Sequence, residues 1–386
     1  MKRYITLLFV AFAALVQGQE MTVAERNAAQ GFNDTIDRLA PDFVTVSLVV
    51  CDPGDILYSS FGHAMLHLEC PSFNLDYIFS YESEGITGNW GRFLRGDLKM
   101  GMFATKPDMI YESYRDEGRG VREYKLNLSP MQKQELWRIM DELVAMGPDQ
   151  PYDYYNRGCA ISVVHVVKQA LQGQAIEYYH WPPKFDGTLR ELGYECVTKA
   201  QRPWNRFALM TLAGSGIDNP NIPRERKLIV PSDLAEVWQN AKMNGTPLLE
   251  KEPKVILESS EVNESKWWLS PLAISLLIFL LAFIPWREID YVLLAIVTLI
   301  GVVVCYTVFV STLPCTDWNW LIIPFNILPA IGWYWRKYWA LPYSGIILVW
   351  CLVMIGEWFW GHVLVDWPHI ILALAFCVVL VKQRKV

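Results

Sequence analysis

The sequence predicts an α+β domain outside the cytoplasm, followed by a bundle of membrane-spanning helices. Three observations support this prediction. The chain starts with a short basic and apolar segment, its first two thirds mix β-branched runs with amphipathic helical patterns, and its last third is almost free of charge. Of the 386 residues, 52% are hydrophobic and only 19% are charged. This composition excludes a disordered chain and a fully soluble one.

The charge is distributed unevenly along the chain, whose net charge is −6. Residues 267–386 hold 12 of the 17 Trp but only 11 charged side chains, which leaves the first 266 residues acidic. A nucleic-acid-binding protein needs a basic excess to neutralise phosphates, and this chain has none. We therefore expect a polar, acidic domain joined to a membrane domain, and no nucleic-acid partner.

Residues 1–19 have the pattern of a secretory signal peptide. Lys2 and Arg3 precede an apolar stretch over 5–16, and Gly18 ends a plausible cleavage site. An uncleaved N-terminal anchor is the alternative. In both cases the residues up to 266 lie outside the cytoplasm, as a domain over 20–245 and a polar linker over 246–266.

Five apolar segments predict membrane spans near 269–286, 291–313, 321–335, 340–356 and 368–381. Basic residues occur only in alternate connections and at the end of the chain: Arg287, then Arg336 and Lys337, then Lys382, Arg384 and Lys385. The positive-inside rule makes these connections cytoplasmic, which requires five crossings. Trp residues cluster at the ends of the spans, as in an interfacial aromatic belt.

Within the extracytoplasmic domain, alternating and β-branched runs predict strands at 44–51, 62–69 and 74–81. Ser129 and Pro130 are typical of a helix start, and Gly147 is typical of its end. A second helix is expected from about Cys159 to residue 171. The residues before it form a Tyr-rich loop at 151–156.

Cys159 is the candidate nucleophile, because a thiol in the first turn of a helix has its thiolate form stabilised by backbone N–H groups. A buried structural cysteine or half of a disulfide is the alternative. The nucleophile needs a base, and His63 and His67 share one face of the second strand. A third group must orient the base, and Asp76 on the next strand is the nearest carboxylate, with His67 as the competing candidate.

The remaining cysteines of this domain leave the disulfide pattern open. If the first two strands pair antiparallel, Cys51 and Cys70 lie at opposite ends of the pair and cannot be bridged easily. A bond between Cys70 and Cys196, or free thiols, are both compatible with the sequence. Neither arrangement uses Cys159.

Four stretches together resemble a known family: SLVVCDPGDILYSSFGHAMLHL, LDYIFSYES, GVREYKLNLSPMQKQEL and YDYYNRGCAIS. They resemble the extracytoplasmic domain of the Lnb-type bacterial lipoprotein N-acyltransferases, in which several transmembrane helices follow. The Gly-His block and the Asn-x-x-Cys-Ala block are the specific parts. The resemblance extends over essentially the whole mature chain.

This resemblance implies a circularly permuted papain-like fold, similar to NlpC-related and lecithin:retinol acyltransferase proteins, with the His strand before the Cys helix. It also implies that Cys159 is the nucleophile and His63 the base. The family usually has Asp-Asn-Cys-Ala-Thr, whereas this chain has Arg157 and Gly158 before Cys159. The motif Asn is displaced to Asn156, and Arg157 is a candidate for a charge-stabilising role.

The implied function is acyl transfer at the outer face of the bacterial inner membrane, with the catalytic domain in the periplasm. An acyl chain would pass from a membrane phospholipid through a Cys159 thioester to the α-amino group of a diacylated apolipoprotein. Ser60, Arg157 and Tyr155 are secondary candidates for substrate contact. No cofactor, metal or nucleotide is expected, because the ester carries the energy.

Three other functions fit the same residues. A membrane-anchored amidase or endopeptidase acting on peptidoglycan would use the same Cys and His, but would leave the spans unexplained. A phospholipase or thioesterase differs only in using water as the acyl acceptor. A non-catalytic membrane scaffold is the third, supported by the altered residues before Cys159.

Overall fold

The computed structural model describes residues 21–383, apart from residues 33, 87 and 261–265. The predicted signal peptide at 1–19 and the basic residues Arg384 and Lys385 lie outside the described residues. The described residues comprise the extracytoplasmic domain and the apolar C-terminal part.

An antiparallel sheet forms the centre of the extracytoplasmic domain. The strands of the domain are β1 (Thr45–Cys51), β2 (His63–Cys70), β3 (Leu75–Ser83), β4 (Lys99–Thr105), β5 (Val121–Lys125), β6 (Gln150–Pro151), β7 (Glu177–Tyr178), β8 (Ala241–Met243), β9 (Thr246–Pro247) and β10 (Lys254–Leu257). Seven of them form the central sheet in the order β10-β5-β1-β2-β3-β4-β6, and β7, β8 and β9 form a small second sheet. The three strands predicted from the sequence correspond to β1, β2 and β3.

The extracytoplasmic helices surround this sheet. They are α1 (Val23–Ala29), α2 (Trp90–Arg95), α3 (Pro107–Asp116), α4 (Pro130–Met146), α5 (Tyr154–Arg157), α6 (Cys159–Ala170), α7 (Leu189–Lys199), α8 (Pro203–Leu212) and α9 (Pro231–Gln239). The helix predicted after Ser129 is α4, because the Ser129 hydroxyl accepts a hydrogen bond from the N–H of Gln132 and Gly147 follows with φ +70°. The helix predicted from Cys159 is α6.

The two faces of the sheet are covered by different helices. Alternate residues of β1 and β2, including Leu48 and Leu66, pack on one face against α4, α6 and α9. The opposite residues, including Val49 and Met65, pack on the other face against α3. Each fully buried aliphatic side chain of this kind contributes about 1.5–3 kcal/mol of transfer free energy.

The linker predicted over 246–266 is shorter in the structure. β10 pairs antiparallel with β5 at one edge of the central sheet. Residues 254–257 therefore belong to the extracytoplasmic domain. The apolar run at 255–257 has only three residues, which is too short to predict a strand from the sequence. The residues that follow β10 lead to the first apolar helix.

The C-terminal part consists of α10 (Pro271–Leu281), α11 (Arg287–Phe309), α12 (Leu328–Ile331), α13 (Arg336–Phe359) and α14 (Trp367–Lys382). Two apolar helical stretches among the described residues, 287–309 and 333–359, are long enough to cross a membrane, and α10 and α14 are shorter apolar helices. These helices are consistent with a membrane protein.

The span predicted at 321–335 is not a continuous helix. It contains only a short turn at Trp320–Ile322, the four-residue α12, and another short turn at Trp333–Trp335. Pro324 and Pro329 interrupt the backbone hydrogen bonding that a continuous helix requires. A Cβ atom on Gly301 of α11 would lie 2.7 Å from the Cα atom of Asn326, so this glycine allows the broken segment to pack closely.

One end of the helical part contacts the extracytoplasmic domain. The N–H of Thr312, after α11, donates to the Arg95 carbonyl at 2.8 Å, and the Asn319 amide donates to the Thr211 carbonyl at 2.9 Å. Before α14, the buried Asp366 carboxylate pairs with the Arg206 guanidinium at 2.9 Å. These contacts hold α8 and α2 against the loops of the helical part.

Basic residues lie at the other end of the helical part. Lys382 pairs with Asp290 near the start of α11, and the Arg336 guanidinium donates to the Gln383 side chain at 2.8 Å. Asp290 and Thr312 lie near opposite ends of α11, whose 23 residues extend over about 35 Å. The basic residues therefore gather far from the extracytoplasmic domain.

Candidate active site

The structure brings Cys159 and His63 together at one cavity. Cys159 is the first residue of α6 and His63 is the first residue of β2. Helix α6 packs against β2, and both side chains line a cavity of about 280 Å³. The cavity also holds polar groups from β3 and from the segment before β5, including Glu82 and Arg119.

Gly158 allows the chain to enter α6 at this point. A Cβ atom at residue 158 would lie 2.3 Å from the carbonyl oxygen of Tyr154, so no other residue fits without backbone movement. The displaced Asn156 bonds to Asp153, which caps α5, and to Arg226. Asn156 therefore does not act on the Cys159 thiol.

The electrostatics of the pair favour a thiolate and an imidazolium. Burial by itself would raise the pKa of the Cys159 thiol, but the adjoining His63 and the backbone N–H groups of Ala64 and Ala160 outweigh it and lower the pKa. Burial by itself would lower the pKa of His63, but Cys159 and Glu82 outweigh it and raise the pKa to about 10. Each partner thus stabilises the charged form of the other.

Ser80 and Glu82 hold the His63 ring. The Nε2 atom of His63 lies 2.5 Å from the Ser80 hydroxyl and 3.7 Å from a Glu82 carboxylate oxygen. This leaves Nδ1 of the ring as the nitrogen available to Cys159. The ionised form of the Glu82 carboxylate is stabilised in turn, because its interaction with His63 lowers the pKa of Glu82. Sequence reasoning missed both Ser80 and Glu82.

Neither Asp76 nor His67 orients His63 in the structure. The His67 ring bonds to Asp76 through Nε2 at 2.7 Å and to Glu123 through Nδ1. The strand register explains this placement, since Asp76 pairs with Glu69 and lies near the far end of β2 from His63. His67 lies four residues along β2 from His63, about 13 Å away along the strand, so it does not reach the His63 ring.

The His67 cluster is a separate group of acids and a base. The potential ligand atoms of His67, Glu69 and Asp76 lie within 4.8 Å of one another. Both ring nitrogens of His67 already have carboxylate partners. The cluster therefore fits a buried ion-pair network that ties β2, β3 and β5 together.

The three secondary candidates are placed differently. Ser60 is completely buried, and its hydroxyl donates to the Ile56 carbonyl and accepts from Asn205, so it has no contact with the cavity of Cys159. Arg157 lies in a different surface cavity, near Pro151. Tyr155 lines an apolar cavity next to that of Cys159.

Arg119 is a charged residue of the cavity that the sequence did not indicate. Its guanidinium is buried, donates to the Asp52 carbonyl at 2.7 Å and pairs with Glu117 at 3.0 Å. Its Nη2 atom has no hydrogen-bond partner in the described part of the chain. A buried, partly unsatisfied cation in the cavity that Cys159 lines is able to bind an anionic group.

The eight cysteines, all within the described residues, carry free thiols. Cys51 pairs with His63 across β1 and β2, and Cys70 lies at the other end of β2. The structure therefore agrees with the separation expected for these two residues. The lowered pKa distinguishes Cys159 from the neighbouring Cys51, whose pKa burial raises to about 12.

Comparison with protein families identifies this domain. Residues 32–183 match the family model of the Lnb N-terminal periplasmic domain. The domain belongs to the Lnb family. The matched segment of this Lnb domain contains His63, Ser80, Glu82, Arg119 and Cys159. No curated protein and no solved structure matches the chain. The chain is thus a membrane protein with an Lnb-type periplasmic domain and an apolar helical part after it.

Proposed function

We propose that this protein is a lipoprotein N-acyltransferase that works through a thioester on Cys159. The observation that carries the proposal is the Cys159–His63 pair, in which the thiol has a lowered pKa and the imidazole a raised one. Such a pair supplies a nucleophile and a proton donor at neutral pH without a metal. The cavity around it is part of a domain bound to the membrane helices.

The first step loads the enzyme. The Cys159 thiolate attacks the ester carbonyl carbon of a membrane phospholipid, forming a C–S bond and breaking the C–O bond. The His63 imidazolium gives its proton to the departing alkoxide, which leaves as a lysophospholipid. The N–H groups of Ala64 and Ala160 stabilise the thiolate and are the candidate donors to the developing oxyanion.

The second step transfers the acyl chain. The α-amino group of an apolipoprotein's lipid-modified N-terminal cysteine attacks the thioester carbonyl. Neutral His63 accepts a proton from this amine as the C–N bond forms and the C–S bond breaks. The products are the N-acylated lipoprotein and the original thiolate and imidazolium.

A five-pass arrangement in the inner membrane is part of this proposal. The loops after α11 and before α14 bind the periplasmic domain, while Lys382 and Arg336 lie at the opposite end. The broken segment over 321–335 connects the two ends between α11 and α13. A permuted papain-like arrangement also belongs to the proposal, supported by a His strand that precedes the Cys helix.

The contact between the two parts favours lipid substrates over peptidoglycan. Arg206 and Asp366 pair across the boundary, and Asp366 is completely buried. A hydrolase of wall peptides has no need of a catalytic domain fixed to the membrane helices. Both proposed substrates, in contrast, are anchored in the bilayer.

Mass spectrometry of the full chain purified from phospholipid-containing membranes tests the proposal. We expect a hydroxylamine-sensitive acyl mass on the Cys159 peptide, absent from Cys159→Ala. Cys70→Ala is the matched control, since Cys70 is a buried thiol at the far end of the strand that carries His63. Adding a diacylated lipopeptide with a free amine should discharge the adduct and yield a triacylated product.

Other outcomes would contradict the proposal in distinct ways. Discharge to free fatty acid, with the lipopeptide unchanged, would indicate a phospholipase. Cleavage of peptidoglycan fragments without any acyl adduct would indicate an amidase. Unchanged biological activity of Cys159→Ala would indicate a non-catalytic scaffold.

A further inference from the structure

A second cavity lies next to the cavity of Cys159, and it is almost entirely apolar. Its volume is about 90 Å³, and 14 of its 16 lining residues are aliphatic, aromatic or proline. Phe61, Phe93, Leu212 and Leu313 are among them. A small apolar slot of this kind excludes charged or strongly hydrated ligands, because burying their polar groups without partners is unfavourable.

The two cavities adjoin each other, since they share four lining residues. Tyr58, Ile86, Tyr152 and Tyr154 line both of them. The Tyr154 hydroxyl is buried and has no hydrogen-bond partner among the described residues. An unsatisfied donor where the two cavities meet suits a ligand that brings an acceptor oxygen at this point.

Both parts of the chain build the apolar cavity. Phe61 and Phe93 come from the periplasmic domain, and Leu212 ends α8, which also contacts α11. Residues 313–316 come from the loop after α11. This loop lies at the end of the apolar helices, so the cavity adjoins the place where lipid chains are available.

We propose that the apolar cavity holds the carboxyl-proximal part of the acyl chain that is attached to Cys159. The inference rests on the proposed function and adds the site at which the chain is recognised. Because the cavities adjoin, a chain whose first methylene groups occupy the slot has its carbonyl carbon near the thiolate. The small volume accepts one chain and selects against branching near its carboxyl end.

Photo-crosslinking tests the site without requiring thioester formation. The full-length Cys159→Ala protein is placed in vesicles of phosphatidylethanolamine whose acyl chain carries a diazirine near its carboxyl end. We expect crosslinks in the peptides that contain Leu212 and residues 313–316. Leu212→Trp, which fills the cavity, should reduce them about tenfold, equivalent to about 1.4 kcal/mol of binding free energy.

Leu277→Trp is the matched control. Leu277 is 56% exposed on α10 and lines neither cavity, so the same substitution there should leave the crosslinks unchanged. Crosslinks confined to the membrane helices, or equally strong in Leu212→Trp, would overturn the inference. Thermal unfolding of each variant shows whether Leu212→Trp folds, and Leu212→Ala gives a second, less demanding variant.

The protein with Cys159 intact provides an independent measurement. Vesicles that contain a mixture of straight acyl chains and chains branched near the carboxyl end should give a set of Cys159 adducts. Leu212→Trp should lower the yield of these adducts, and Leu212→Ala should raise the share of branched chains. An unchanged yield and an unchanged share in both variants would refute the cavity but keep the acyltransferase. Absence of adducts in the unmodified protein would refute the acyltransferase. The crosslinks would still show whether the apolar cavity binds an acyl chain.

Discussion

The Glu82 carboxylate lies 3.7 Å from the Nε2 atom of His63. This relationship makes the strand pair β2–β3 part of the candidate site, because the register of that pair brings the two side chains to the same end of the sheet. The carboxylate favours the protonated ring, and the protonated ring favours the thiolate.

Replacing Glu82 with Gln should therefore weaken the ion pair. The pKa of His63 should fall and that of Cys159 should rise, because the amide carries no charge. We expect about tenfold slower alkylation of Cys159 by iodoacetamide at neutral pH, measured by mass spectrometry of the Cys159 peptide. Glu84→Gln is the control, since Glu84 pairs with Arg92 and does not line the cavity. Equal alkylation rates in the two variants would show that Glu82 has no role in the pair.

The pH profile of Cys159 alkylation should also reveal the interaction between Cys159 and His63. The thiolate is present above the lowered pKa of Cys159 and is lost as the pH falls through that value. The rate should therefore reach its maximum at a lower pH than it does for an ordinary thiol. In His63→Gln the pH at which the alkylation rate rises should move toward the pKa of an unperturbed thiol. An unchanged profile would mean that His63 does not stabilise the thiolate.

Acyl transfer should decline at high pH for a different reason. In the proposed mechanism the His63 imidazolium donates the proton to the leaving alkoxide, and this imidazolium is lost as the pH rises through about 10. Loading of Cys159 should fall above this pH while its alkylation does not. Steady-state loading in vesicles, quantified by adduct mass, measures the difference. Parallel decline of both rates would indicate unfolding instead.

Gly158→Ala should disrupt the start of α6. The added Cβ atom would meet the Tyr154 carbonyl oxygen at 2.3 Å, which forces a backbone shift beside Cys159. We expect a loss of about 1–3 kcal/mol in stability, seen as a lower Tm, and slower alkylation of Cys159. Gly91→Ala is the matched control, because Gly91 lies in helix α2 and nothing lies within 4 Å of its Cβ position. A Tm equal to that of the control would contradict the predicted clash.

Arg206→Ala should loosen the attachment of the periplasmic domain. It would leave the completely buried Asp366 carboxylate without its guanidinium partner, at a cost of about 3–5 kcal/mol. Arg138→Ala is the control, because Arg138 forms half-exposed ion pairs with Glu135 and Glu142 and should change stability by less than about 1 kcal/mol. Thermal unfolding of both variants in detergent measures the difference. Similar effects would show that the buried pair contributes little.

The sequence predicted the local structure around the site better than its long-range contacts. Ser129 and Gly147 delimit α4 through capping, and β-branched runs specify β1 and β2, because these signals act between near neighbours. The partner of His63 depends on strand register and on which end of the sheet α6 meets. Asp76 is closer in sequence than Glu82, yet only Glu82 lies beside the ring.

Hydrophobicity alone was also insufficient for the segment over 321–335. Its composition is that of a span, but Pro324 and Pro329 break the helix, and Gly301 of the neighbouring helix accepts the irregular backbone. Arg119 was missed because a single arginine in a loop carries no pattern. Its importance comes from burial and from its incomplete hydrogen bonding.

The hydrogen bond between Thr312 and Arg95 has a kinetic consequence. Because the loop after α11 is fixed to the periplasmic domain, Cys159 stays at a constant height relative to the apolar helices. Encounters with the proposed lipid-anchored substrates would then occur in two dimensions. The reaction rate is expected to follow the mole fraction of substrate within the bilayer, and diluting the vesicles in buffer should leave it unchanged.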